Sequence, residues 1–446
     1  MKIKPSILYW FLLGLISCNS NAQTKIQTGT LSSDVIYFEY AIYFSGESAV
    51  DSSFVAGLIK EKYPEVEVLN TFPESENVSG AKMLISEVTN VQEDFLPPDL
   101  EYLKFASNGL SDEQKMALQG SKFAIVFDFF CEESRWMSTF EMANLLMLDL
   151  AKNTNDIIWD SETREAFSRF YWKENRLVKK EGINVSRHIT IHLYQKNEYC
   201  RAITLGMLKF GLPEICIENL SCHNTGNISN LINLTAQTIL ENPKIERKGK
   251  LFLDIDLIKN EELKGVLESS LINNAQRKSE INILQGTWEE GDTDNRILEI
   301  GFSNKNPQVE HDQLMTKIFG APEDEVEYLT HDDELLAASQ RAKDKLPALY
   351  LEFSAGLTEE GTSLLMKFPF ENLVGEQEWM WVEVLKWEDN KVTGLLQNDP
   401  RIVKGLKFGQ EVTKDERDMF DYIIYYPDGT EEGNETGKII SKQQKD

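Results

Sequence analysis

The stretch VIYFEYAIYF, Val35 to Phe44, limits the folds open to this chain more than any other. Ten residues dominated by β-branched and aromatic side chains read as a strand, and a strand needs partners and a cover. Directly after it, DSSFVAGLIKEKYP places Phe54, Val55, Leu58 and Ile59 at helical spacing, with Asp51 as N-cap and Pro64 as stop. The same interleaving continues downstream. AKMLISEV and KFAIVFDFF read as strands, separated by a helix from Ser111 to near Gly120. STFEMANLLMLDLAKNTN predicts a helix with Phe140, Leu145, Leu148 and Ala151 on its buried side. DIIWDSETREAFSRFYWKEN predicts a strand and then a helix capped by Ser161. RHITIHLYQ and EICIENL alternate like strands, and NISNLINLTAQTILEN like a helix. The pattern predicts an α+β (mixed α/β) protein of several domains.

At 446 residues the chain exceeds what one core normally supports. Expected boundaries are an N-terminal α/β domain over 34–242, a middle α/β module over 243–329, and a C-terminal domain over 330–446. That last domain is predicted as a mostly antiparallel sheet packed against one N-terminal helix. The helix is THDDELLAASQRAKDKLP, capped by Thr330 with Asp333 three residues on, striped by Leu335, Ala338, Ala342 and Leu346, and ended by Pro347.

The first residues read as an address. MKIK is a basic segment, and Ile7 to Ile16 form an apolar run about half as long as a membrane-spanning helix needs. The sequence LISC follows, Leu15 to Cys18, and resembles the bacterial lipobox. The resemblance implies a signal peptide over 1–17, a diacylglyceryl group on Cys18, and a tether over 18–33. It also implies a cell-envelope protein, lipid-anchored on the periplasmic side, with ordinary cleavage near Asn21 to Gln23 and a soluble periplasmic product as the alternative.

Lys and Arg total 46 against 73 Asp and Glu, a formal net charge of −27, and losing Lys2 and Lys4 makes it two units more negative. Such a surface repels nucleic-acid backbones and anionic headgroups except where a local basic patch occurs, so no nucleic-acid partner is expected. Export puts Cys131, Cys200, Cys216 and Cys222 in an oxidising compartment. One disulfide of open connectivity is allowed there, and buried free thiols are the main expectation. The spacing in CIENLSCH suits no zinc knuckle. His188 and His192 lie about 13 Å apart if HITIH is a strand, too far to share an ion. GDTDN, Gly291 to Asn295, lacks the later ligands of a calcium loop and reads as a turn. No metal and no cofactor are expected, and no G-x-S-x-G nucleophile is present.

EWMWVEVLKW offers the clearest candidate site. Alternation puts Met380, Val382 and Val384 on one face and Trp379, Trp381 and Glu383 on the other. The second face is either a ligand clamp or a surface covered by the helix from Asp332 to Leu346. Downstream, GLLQNDP ends a strand, and Asn398-Asp399-Pro400 suits a turn through side-chain bonds and fixed φ.

THDDELLAASQRAKDKLP, EWMWVEV, GLLQNDP, VKGLKFGQEV, FDYIIYYPDG and GNETGKI occur in this order, and the ordered set resembles the YegJ-like domain of unknown function 2314. The pattern that the resemblance implies falls here on Trp381, Asn398, Asp399, Pro400, Gly405, Gly409, Asp421, Tyr422, Gly433, Asn434 and Thr436. Trp379 stands where members often carry His, and Tyr422 where they often carry Trp. The resemblance implies no activity. Candidate binding residues are therefore Trp379, Trp381, Glu383, Asn398, Asp399, Asp421 and Asn434. The leading functional expectation is non-catalytic binding of a protein or ligand. The alternatives are acid–base catalysis by Asp399, Asp421 and Glu383, neutralisation of a basic toxin, and a purely structural module.

Overall fold

The computed structural model describes residues 24–443, apart from 46–49, 75–77, 197–198, 222–225, 303–306, 321–332, 357–360, 373–376 and 402. Helices and strands alternate through it, and three sheets carry the architecture.

The first sheet has seven strands, in the order Val66–Leu69, Ala81–Val88, Phe123–Glu132, Val35–Phe44, Ile157–Asp160, Glu165–Phe167 and Ser107–Asn108. Val35–Phe44 sits at its centre, antiparallel to both Phe123–Glu132 and Ile157–Asp160, which is why so aromatic a strand is buried on both faces. Helix Ser52–Lys62 starts where Asp51 accepts the Phe54 N–H at 2.7 Å. Helix Trp136–Leu150 buries Phe140, Ala143, Met147 and Leu150, while Leu145 is 42% exposed. The buried stripe is thus rotated from the expected one, taking in Ala143 and Met147 in place of Leu145. Ser161 does not cap a helix. A turn and the strand Glu165–Phe167 intervene, and Ser168 caps helix Arg169–Asn175 by accepting the Tyr171 N–H at 3.2 Å.

The middle sheet has six strands, in the order Lys250–Asp254, Lys278–Gln285, Ile297–Gly301, Glu214–Leu220, Tyr199–Leu205 and Thr190–Lys196. Its centre is a parallel pair, Ile297–Gly301 beside Glu214–Leu220. The boundary expected at residue 242 therefore runs through one sheet, and both sheets share one continuous core that includes Phe38, Phe129, Ile217 and Leu298. The expected tether is also shortened, since residues from Thr24 onward belong to the fold. Gln285 donates its N–H to the Thr24 carbonyl at 2.7 Å, Gly29–Thr30 pair with Lys244–Ile245, and Leu31 is buried.

The C-terminal sheet is antiparallel throughout, in the order Glu411–Asp415, Lys391–Leu396, Gln377–Glu388, Ser363–Glu371, Asp421–Tyr425 and Glu431–Gly433. It has its own core, in which Ala342 and Leu349 meet Met366, Met380, Val382 and Val384. More than one helix covers this face. Pro347 does not end the first helix; it occupies the first turn of a second, Leu346–Ser354, after Asp333–Asp344. Proline is well tolerated there, since its missing N–H would have no helical partner anyway. A third helix, Glu435–Gln443, packs on Asp333–Asp344 and forms the Arg341–Glu435 ion pair. The expected Thr330 cap lies outside the described residues.

Candidate functional site

Alternation in Gln377–Glu388 divides the residues as the sequence implies. Met380, Val382 and Val384 enter the helix-covered core, and a bulge between Val384 and Lys386 brings Trp387 onto the same side. The helices therefore do not cover Trp379 and Trp381. Both indoles are half-buried on the opposite face, Trp379 against the Phe420 ring at 4.4 Å and Trp381 with the Lys367 ammonium 5.4 Å from its ring centre.

Glu383 shares that opposite face with its cross-strand partners Leu365 and Leu395, and Leu395 in turn pairs with Glu411. This row meets the middle sheet. Glu383 is 3% exposed, and Oε2 accepts from the Ser221 hydroxyl and from Gln397 Nε2. Tyr199 donates its hydroxyl to Glu411 Oε2 at 3.2 Å. Gly409 has φ +73°, and a Cβ on it would lie 2.9 Å from the Gln308 carbonyl carbon at the start of helix Pro307–Phe319. The Gly405-x-x-x-Gly409 loop thus brings backbone against backbone across the domain boundary.

The remaining candidates hold turns. Asn398 Oδ1 accepts the Trp381 N–H at 2.6 Å while Gln397 donates its N–H to the Trp381 carbonyl at 2.8 Å, so a side chain extends the ladder past the strand end. Asp399 is exposed, and its charge, after the larger effect of burial, helps raise the Asp312 carboxyl to about 6. Glu378, unremarked in the sequence, accepts the N–H groups of Arg401 and Val403 and fixes the same loop. Asp421 is fully buried, and its Oδ2 accepts both the N–H and the hydroxyl of Thr436, at 2.9 and 2.6 Å. Asn434, at φ +55°, precedes the helix that this pair secures. Asp421 lies opposite Lys367, which lies opposite Trp381. It is therefore two strands and two residues from Glu383, roughly 12 Å between Cα atoms by sheet spacing. The three carboxylates considered for acid–base work do not converge.

A second cluster went unseen in the sequence because its members are distant along the chain. Asp160 and Lys209 are fully buried, pair directly, and take in Arg176 at 3.1 Å from Asp160. Burial works against the Asp160 charge, but the two cations outweigh it and hold its pKa below normal, while burial lowers that of Lys209. Burial, then the Asp160 charge, raises the neighbouring Glu162 carboxyl. His188 sits in the core between Phe140 and Phe210 and is kept neutral by burial and by three nearby cations. Next to it lies a cleft of about 230 Å³ lined by Asn175, Lys179, Arg187, Asn260 and Glu262. Arg187 donates to both Asn175 and Glu262, so the cleft wall is largely internally paired. The cluster joins the first sheet to the middle one.

In the middle sheet, the Asp292 carboxylate of GDTDN accepts both Arg201 Nη atoms, at 2.8 and 3.0 Å, and that turn is an ion-paired knot. Cys131 and Cys216 are buried free thiols, whereas Cys200 is disulfide-bonded, its partner outside the described residues. Among the described residues, no group of three or more His, Cys, Asp or Glu is arranged to hold a metal, and no helix is long and apolar enough to cross a membrane. Cys18 lies outside the described residues.

Residues 332–444 match the model of a domain family described as an uncharacterized protein conserved in bacteria, DUF2314. No curated protein and no solved structure matches the chain. The match covers the C-terminal sheet with its helices, which is thus a DUF2314 domain.

Proposed function

We propose that this chain is an exported lipoprotein of the bacterial cell envelope, anchored on the periplasmic side through Cys18, that acts by binding a protein or ligand and not by catalysis. The observation that carries the binding half is the division of labour on the C-terminal sheet. Glu383 and Asp421 are taken up by Ser221, Gln397 and Thr436, while Trp379 and Trp381 lie half-buried on the face turned away from helices Asp333–Asp344 and Leu346–Ser354. Indole faces next to a lysine and an acidic turn suit a partner that offers apolar and charged groups together. The lipobox and the bonded Cys200 support the envelope address.

A photoreactive amino acid placed at Trp381, compared with one at Tyr350 on the helix-covered side, tests the binding half in living cells. A discrete adduct from position 381 alone is the expected result; identical adduct patterns from both positions count against it. Intact mass of the mature protein tests the anchor, and a start without acyl groups would remove it.

A further inference from the structure

The free length between the expected lipid and the folded body is short. Only Cys18 to Gln23 precede Thr24, which is already hydrogen-bonded to Gln285. Six extended residues span about 20 Å at most. If Cys18 is acylated, the surface around Thr24 is held within that distance of the headgroups.

That surface differs in charge from the rest of the molecule. Ile26 donates to the Ile283 carbonyl, and Gly249 donates to that of Ile26, so the entering chain lies along the turn before Lys250–Asp254. The Lys25 stem packs on Gly249, where an added Cβ would come 2.9 Å from it. Around this point stand Lys25, Lys244, Arg247, Lys248 and Lys250, opposed locally by Glu246 and Glu280. Arg247 and Lys250 pair with Glu280. Lys25, Lys244 and Lys248 are exposed and have no ion pair among the described residues. Phe252, on the outer face of the adjoining strand opposite Glu280, is 51% exposed. In a chain with net charge −27, a basic patch with an exposed aromatic residue at the point of attachment is the part that an anionic bilayer attracts.

We infer that this patch is a membrane-docking surface for anionic phospholipid headgroups, which orients the body on the bilayer that holds its acyl chains. The inference rests on the lipoprotein reading for its occupant. Each lysine near such a surface strengthens binding about fivefold, so three together amount to roughly a hundredfold.

The test uses the full chain with Cys18→Ser, which lacks acyl groups, and phosphatidylcholine vesicles with and without phosphatidylglycerol. Salt-sensitive sedimentation with the phosphatidylglycerol vesicles alone is expected, lost by about two orders of magnitude in the Lys25→Gln/Lys244→Gln/Lys248→Gln variant. Equal sedimentation of the two proteins, or no preference for phosphatidylglycerol, overturns the inference. A second arm uses the acylated chain labelled at Lys248→Cys or at Lys391→Cys, with nitroxide-bearing lipids as quencher. Stronger quenching at 248 is expected, and equal quenching overturns docking even where mass confirms the anchor. A missing acyl group in that mass instead removes the lipoprotein reading and leaves the vesicle result to stand alone.

Discussion

Asp421 and Thr436 are joined twice: one carboxylate oxygen accepts both the backbone N–H and the hydroxyl of Thr436, at the start of the last helix. Asp421 is fully buried and its other oxygen accepts the Tyr422 N–H, so truncation leaves three donors without this acceptor. Asp421→Ala is expected to lower stability by about 2–4 kcal/mol, and Asp421→Asn by less, since the amide keeps one acceptor. Urea denaturation of the full chain measures both. A loss below about 0.5 kcal/mol, the range of ordinary surface changes, would show that the pair does not secure the helix.

Asp399 makes the opposite prediction. It is exposed, so Asp399→Ala should leave stability within about 0.5 kcal/mol. Its charge is one of two causes of the raised Asp312 pKa, after burial, so that pKa should fall from about 6 toward the ordinary carboxylate value in the variant. Carboxyl NMR titration reads the shift directly.

Asp312 also gives a pH dependence. Its folded pKa, about 6, exceeds the ordinary aspartate value of 3.8, so between these values the native state binds more protons than the unfolded chain. This group's contribution to stability is full below about 4 and is lost as pH rises through about 6. Asp312→Asn should flatten the slope of stability against pH in that window and leave it unchanged above pH 7. An unaltered slope would refute the assignment.

Asp160 is the shared anion of two buried cations. Asp160→Asn removes the ion-pair partner of Lys209 and leaves Arg176 only the longer contact with Glu165 at 3.6 Å, and is expected to cost about 3–5 kcal/mol. Calorimetry should show the loss in the transition of the body formed by the first two sheets. An unchanged transition would mean the cations find other partners.

Gly409→Ala combines a left-handed backbone angle with a 2.9 Å approach to Gln308. The expected result is a loss of about 1–3 kcal/mol, or separation of the C-terminal domain seen as new protease cleavage that releases it. Wild-type resistance to protease would show that the loop yields without cost.

Local patterns in the sequence disclosed much of this. The two faces of Gln377–Glu388 follow from alternation, and the turn after Leu396 follows from Asn-Asp-Pro. The structure departs from these patterns where a local signal has two readings. Pro347 suits both the end of one helix and the start of another, and Ser161 and Ser168 are equally good caps until the strand Glu165–Phe167 is known. The Asp160, Arg176 and Lys209 cluster gave no signal, because ion pairing over such separations leaves no periodicity. The middle sheet hid for the same reason, its central pair joining Glu214–Leu220 to Ile297–Gly301 across two helices and two further strands of the same sheet.

The docking of Thr24 to Gln285 bears on the order of biogenesis. Thr24 cannot find its place until a stretch some 260 positions later has been delivered. Contacts over so long a separation form slowly, so closure of this body waits on the strand Lys278–Gln285 and cannot proceed outward from Thr24 alone.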